Sequence, residues 1–193
     1  MRILLLTDGL VPYSFGGIQR HTQLMLRYLL EEGHDLTLYY CTDNQKAPSD
    51  LELLNSTGLI SPENYIKNFS AKHFVFPRAG RLPGHYLRSS KAYSKLLFEE
   101  YKQTNESFDF IYSQGFCSWH FAEHINQVKD KLAVNFHGFE MYQKPAGKFG
   151  LLKNWMLRQP VKAHLEKKVY WLSLGQGISD IIISLGVSPE LIL

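Results

Sequence analysis

Residues 1–40 read MRILLLTDGLVPYSFGGIQRHTQLMLRYLLEEGHDLTLYY, and this stretch decides the fold. Residues 3–6 (ILLL) make an apolar run long enough for a buried strand and too short for a membrane span. Residues 7–17 are broken by Gly9, Pro12, Gly16 and Gly17, so they form a loop. From there on, apolar groups fall at Ile18, Thr22 (through its methyl), Met25, Leu26, Leu29 and Leu30, which is one face of a helix. Gln19, Arg20, Gln23, Arg27 and Glu31 take the opposite face. Gly33 ends the helix as a C-terminal cap, and residues 36–40 resume a strand. Strand, glycine loop, helix and strand make a βαβ unit, with parallel strands and a right-handed connection.

The same alternation continues downstream. Strands are expected at residues 73–76, 108–112, 132–136 and 168–174. Helices are expected at 86–103, 117–128 and 178–185, the first with Leu87, Ala92, Leu96, Leu97 and Tyr101 turned inward. Residues 148–157 and 161–167 are also helical, with Pro160 breaking or kinking the chain between them. Residues 41–72 read as an irregular surface excursion, with turns at 42–45 and 47–50 and a short helical turn at 51–54. Residues 77–84 form a Pro/Gly-rich turn. The pattern predicts an α/β, Rossmann-like, doubly wound sheet, mostly parallel, with helices on both faces. Ligands of such sheets bind beyond the carboxyl ends of the strands. Three loops meet that condition, at Gly16-Gly17, at Ser113-Gln114-Gly115 and at residues 137–140.

Composition narrows the function. The 193 residues suit one domain with a real core, and 45% hydrophobic against 20% charged residues is an ordinary globular balance. A net charge of +3 is too mild to argue for nucleic acid. Cys41 and Cys117 lie in no metal-ligand spacing and are expected to be reduced, buried thiols. Residues 3–6 are too short for the apolar core of a secretory signal, and no apolar run nears the ~20 residues of a membrane helix. A cytoplasmic protein is expected, with a peripheral place on the inner face of the membrane left open. The final residues, VSPELIL, suggest a piece of a longer protein or a natural half-protein.

Several side chains are candidates for chemistry. At Gly16-Gly17, backbone N–H groups at a helix start can approach a phosphate or sugar closely; a turn needing positive φ is the competing reading. The dinucleotide G-x-G-x-x-G and the phosphate-loop signature are missing, which removes support for NAD binding and ATP hydrolysis. His137 directly follows a strand, and its imidazole can donate or accept a hydrogen bond from a sugar hydroxyl. It can equally close the strand on a neighbouring loop. Gly138 offers a backbone carbonyl. Glu140 is read either as a partner for acceptor hydroxyls or as a solvated carboxylate, and Asp8 as a brace of the glycine loop or a cleft group. Arg20 and His21 stand where they can approach an anion at the helix start. His120 and His124 have i, i+4 spacing, but H-F-A-E-H is not the zinc-protease H-E-x-x-H. Two basic stretches remain, from Arg78 to Lys95 and from Lys144 to Lys168, the second mixed with Leu151, Leu152 and Trp155. They read as solvated helix faces or as a surface for an anionic membrane or lipid phosphate.

The run GGIQRHTQLMLRYLLEEGHDLTLYY, residues 16–40, resembles the opening of GT-B fold glycosyltransferases, within them the retaining enzymes of glycosyltransferase family 4. The segment His137-Gly138-Phe139-Glu140 is similar to that family's H-[DG]-x-x, and residues 179–193 (SDIIISLGVSPELIL) to its helix and L-G-[VI]-x-x-[ED]-K-[IV]. The crowding of Gly175 and Gly177 at a helix start departs from it. The resemblance implies that residues 1–193 are the N-terminal, acceptor-side Rossmann-like domain, truncated before a C-terminal nucleotide-sugar-binding domain. The whole protein would move a sugar from a nucleotide-sugar donor to a glycan or lipid-linked acceptor, without a metal cofactor; the fragment alone would be inactive. His137 would touch the donor sugar as the catalytic residue. Gly16, Gly17, Arg20, His21, Gln114, Gly138 and Glu140 would bind substrate. The alternatives are a non-catalytic module for a glycan or lipid phosphate, and half of a GT-B nucleotide-sugar epimerase.

Overall fold

A computed structural model describes residues 1–42, 47–78, 80, 84–145 and 147–193. Six parallel strands form one sheet: β1 (Arg2–Leu6), β2 (Asp35–Cys41), β3 (Phe69–Phe74), β4 (Phe110–Gln114), β5 (Leu132–Asn135) and β6 (Tyr170–Trp171), in the order β3-β2-β1-β4-β5-β6. This is the expected Rossmann-like sheet. The strand order reverses between β1 and β4, and the crevice above such a switch point is where ligands of open α/β sheets sit.

Alternate residues of β1 feed two cores, as strand geometry requires. Ile3 and Leu5 pack with Leu26 and Leu30 of α1 (Gly17–Glu31) and with Leu53 and Leu54 of α2 (Asp50–Ser56). Leu4 and Leu6 pack on the other face with Leu97 and Phe98 of α3 (His85–Gln103), Phe121 of α4 (Trp119–Glu123) and Val128 of α5 (Ile125–Val128). Val161 of α6 (Gly147–Leu165) and Ile182 of α7 (Gln176–Ser184) join that second core. Each fully buried leucine contributes about 1.5–3 kcal/mol, which is why so short a strand as β1 holds the centre.

Several local expectations need correction. Gln23 is buried, its amide donating to the Ser56 carbonyl across the α1–α2 contact, so it does not face solvent. The inner face of α3 is Ser89, Ser90, Tyr93, Ser94, Leu97 and Phe98; Leu96 is exposed and Leu87 half-buried. Residues 41–72 are no mere excursion, because Leu53, Leu54 and Leu59 lie in the core and α2 carries a full capping box between Ser49 and Glu52. The expected helix 117–128 is broken into a 3₁₀ turn, α4 and α5. Pro160 does not break the chain: α6 runs through it. β6 spans two residues and is extended by a bridge from Trp171 to Ile192. Both cysteines are buried, and neither is in a disulfide. Residues 43–45 of the expected turn at 42–45, and part of that at 77–84 with Arg81, lie outside the described residues. Among those described, no helix is long and apolar enough to cross a membrane.

Candidate active site

The carboxyl ends of β1, β4 and β5 open into a cleft of about 460 Å³. Asp8, Gly17, Tyr86, His137, Glu140 and Lys153 are among its lining residues, and Gly138 lies at the same wall. A second hollow, near Arg2, Asp35 and Glu106, sits at the amino ends of the strands, away from the switch point.

Gly16 and Gly17 are not in the left-handed region, so a turn demanding positive φ does not explain the pair. Around Gly17, a side chain's first carbon would meet nothing within 4 Å: the wall is bare there and opens onto the cleft. After β5 the chain turns sharply through His137 (φ 56) and Phe139 (φ 48), both left-handed, which is unusual for residues with a β-carbon. The turn is held by burial of Phe136 and Phe139 and by the His137 backbone N–H, which donates to Asn135 Oδ1 at 2.8 Å. Strain of this kind persists where the surroundings over-determine it, and such places cluster at functional sites.

A buried polar network stands behind the cleft wall. The His137 N–H fixes Asn135 with its oxygen forward, so Asn135 Nδ2 donates to Tyr112 Oη at 2.9 Å. Tyr112 has one hydrogen, and it goes to His21 Nε2 at 2.8 Å. His21 therefore carries its proton on Nδ1. On the other side, Gln114 Nε2 donates to Thr22 Oγ1 at 3.1 Å, which leaves Gln114 Oε1 to accept from His137 Nε2 at 2.5 Å. His137 therefore carries its proton on Nε2. The two rings meet edge to face with centroids 5.2 Å apart. Burial, with His21 nearby, lowers the His137 pKa to about 4; burial also lowers that of His21. Both are neutral at pH 7. Burial raises the Tyr112 pKa to about 12, so the phenol keeps its hydrogen. Among the described residues, His21 Nδ1–H is left as a donor and His137 Nδ1 as an acceptor. Of the two rings only His137 is among the residues lining the cleft, where its Nδ1 can accept from a hydroxyl group; His21 stands behind it. Nitrogen NMR of the imidazoles is expected to find His21 in the Nδ1–H form and His137 in the Nε2–H form, with Tyr112→Phe releasing the preference of His21. Finding both rings in one tautomer in the unaltered protein would refute the network.

The remaining candidates fall differently. Gln114 is buried at the end of β4 and reaches the cleft only through His137. Arg20 is exposed and donates to Gln23, away from the cleft lining, and Gly16 lies one residue outside that lining. Glu140 is exposed at the rim and opens a short 3₁₀ turn. Asp8 accepts from Gln19 Nε2 at 3.1 Å, and burial raises its pKa. His120 and His124 lie tilted against each other with ring centroids 4.3 Å apart, and the described residues hold no group of three or more His, Cys, Asp or Glu suited to a metal ion. Tyr112, Asn135 and Tyr86 were not foreseen as site residues, and Lys153 was read only as part of the basic stretch from Lys144 to Lys168. A polar Asn in the buried run LAVNF was the one available signal, since such a residue needs a built partner.

No family model matches the chain, and no curated protein matches it. Solved structures do. The lipopolysaccharide outer core galactosyltransferase WaaB, in its apo form, is similar over 100% of this chain and 44% of its own, at 14% identity and a TM-score of 0.54. WaaG, a glycosyltransferase involved in lipopolysaccharide biosynthesis, is similar over 99% of this chain and 44% of its own, at 12% identity and 0.54. Anabaena Alr3699/HepE in complex with UDP is similar over 100% and 43%, at 13% identity and 0.50. At these identities the likeness is one of fold. The chain spans less than half the length of the structures that it matches.

Proposed function

We propose that this chain is the acceptor-side, N-terminal domain of a retaining, family-4 type glycosyltransferase, which moves a sugar from a nucleotide-sugar donor to a glycan or lipid-linked acceptor. The observation that carries this reading is the neutral His137 in the cleft at the carboxyl ends of the strands, its ring held by Gln114 and backed by His21, beside a bare glycine wall. In this reading a second Rossmann-like domain supplies the other side of the cleft and holds the nucleotide. The sugar sits against His137, with one of its hydroxyls bonded by His137. Gln114 and Tyr112 position the two rings. Gly17, at the start of a 15-residue helix, lets the leaving diphosphate approach backbone N–H groups at the positive end of the helix dipole. Fixed dipoles and basic side chains would stabilise the departing charge, with no metal cofactor. Lys153, with exposed Leu151, Leu152 and Trp155, offers a surface for peripheral membrane contact on the cytoplasmic side.

The test is transfer by the native protein that contains this chain, with a panel of nucleotide-sugars against glycan and lipid-linked acceptors. The product should keep the donor's anomeric configuration, and EDTA should leave the rate unchanged. His137→Ala should lower kcat/KM about 100-fold, in the range of losing one aligned transition-state hydrogen bond. An inverted product would overturn the retaining mechanism. Glycan binding without transfer from any donor would favour the binding-module reading.

A further inference from the structure

Beside the cleft lies a second hollow, of about 380 Å³, whose walls, among the described residues, are almost wholly apolar. Leu87 of α3 forms one side, and Leu152 and Met156 of α6 form the other. Gly84 lets α6 come close: a side chain's first carbon there would meet Met156 Cε at 2.7 Å. Tyr86, Lys153 and Leu157 line both hollows, so the groove and the cleft share one wall. Lys153 is the cation at their junction, and among the described residues it makes no ion pair. Arg88 stands next to Gly84, its Nη1 3.5 Å from where that first carbon would lie. Leu151 (59% exposed), Leu152 (56%) and Trp155 (59%) extend the apolar surface outward along α6.

We infer that this groove seats the hydrocarbon chain of a lipid-phosphate-linked acceptor, with Lys153 on the phosphate and the sugar end entering the histidine cleft. The inference rests on the glycosyltransferase reading and narrows its acceptor. Two features choose this occupant. Among the described residues the groove is almost without polar lining, which offers nothing to a peptide backbone, whose N–H and C=O groups need partners. An unpaired ammonium between an apolar groove and a hydroxyl-binding cleft matches, in order, the chain, the phosphate and the sugar of one amphiphile.

The test is methyl NMR of Met156 in the protein, titrated below micelle formation with octyl phosphate, dodecyl phosphate, inorganic phosphate and dodecyl maltoside. Dodecyl phosphate should shift the Met156 methyl saturably and bind about tenfold tighter than octyl phosphate, because more methylenes leave water. Inorganic phosphate should leave that methyl in place. Leu152→Ser should weaken the two dodecyl ligands alike, about fivefold, since a partly exposed leucine is lost from the wall. Lys153→Ala should weaken dodecyl phosphate about fivefold and leave dodecyl maltoside unchanged. Both changes are at exposed positions, so the fold survives them. A Met156 methyl that ignores every alkyl ligand, or shifts without dependence on chain length, overturns the inference. The glycosyltransferase reading would survive that result if soluble sugars still moved the His21 and His137 resonances. A responsive Met156 with unresponsive histidines would support the groove and remove sugar binding from the cleft.

Discussion

Trp171→Ala is expected to lower the unfolding free energy by about 3–5 kcal/mol. Trp171 is 1% exposed and belongs to the two-residue strand β6. Its ring lies 5.7 Å from that of Phe136, 6.2 Å from Phe139 and 6.2 Å from His164, centroid to centroid. One side chain thus joins the sheet edge, α6 and both residues that flank His137-Gly138. Truncation leaves a cavity that a strand so short cannot close. Urea unfolding measures the loss, and Trp171→Phe should recover more than half of it. A cost below about 1 kcal/mol would mean that the edge collapses onto the space, and that the turn at His137 does not depend on this ring.

Acid is the second lever. His164 is fully buried, with Nδ1 donating to the Pro160 carbonyl at 2.8 Å and Nε2 accepting from Ser118 Oγ at 2.8 Å. Burial, only partly opposed by these hydrogen bonds, lowers its pKa to about 4. An unfolded histidine titrates near 6.5, so between those values the unfolded chain takes up a proton that the folded chain refuses. Stability is therefore full above about pH 6.5, falls as the pH drops toward about 4, and levels off below. For His164 the loss over that window is about 3 kcal/mol. His137 titrates in the same direction but is partly open to solvent, which reduces its share. Asp8 works the other way, because burial raises its pKa and protonation favours the folded state. Urea unfolding at pH 7.5 and pH 4.5 reads the difference. His164→Gln keeps hydrogen-bonding capacity without the titration and should remove most of it; an unchanged pH dependence would place the acid sensor elsewhere.

The parts that could be read in advance are those set by local periodicity. The run ILLL, the 3.6-residue repeat of α1 and Gly33 at positive φ are properties of adjacent residues, and the βαβ unit followed from them. His137 was likewise readable from its place after a strand. What stayed hidden depends on partners far along the chain. Ser94 turns inward on α3 because its hydroxyl bonds the Cys117 carbonyl and the His120 N–H, both at 2.7 Å, so a polar residue takes a core position and the helix's apolar pattern misleads. Gln23 is buried for the same reason, with its partner 33 residues away. Pro160 stays within α6 because packing of Val161 and His164, both 0% exposed, outweighs the lost N–H bond. The tautomers of His21 and His137 hang on Tyr112 and Gln114, 91 and 23 residues from them, a relation no local pattern records.

The position of β1 also sets the order in which the chain can be assembled. Its neighbours are β2, paired from Arg2 to Asp35, and β4, paired from Ile3 to Phe110. During synthesis the first contact closes early, but one flank of the most apolar strand must wait for residues 110–113 to emerge. At about 5–20 residues per second that interval lasts several seconds, long compared with hydrophobic collapse. For that time the nascent chain carries an unpaired leucine-rich edge, open to self-association or to capture by chaperones. Slowing translation between β2 and β4 should therefore lower soluble yield, whereas slowing it after β4 should not.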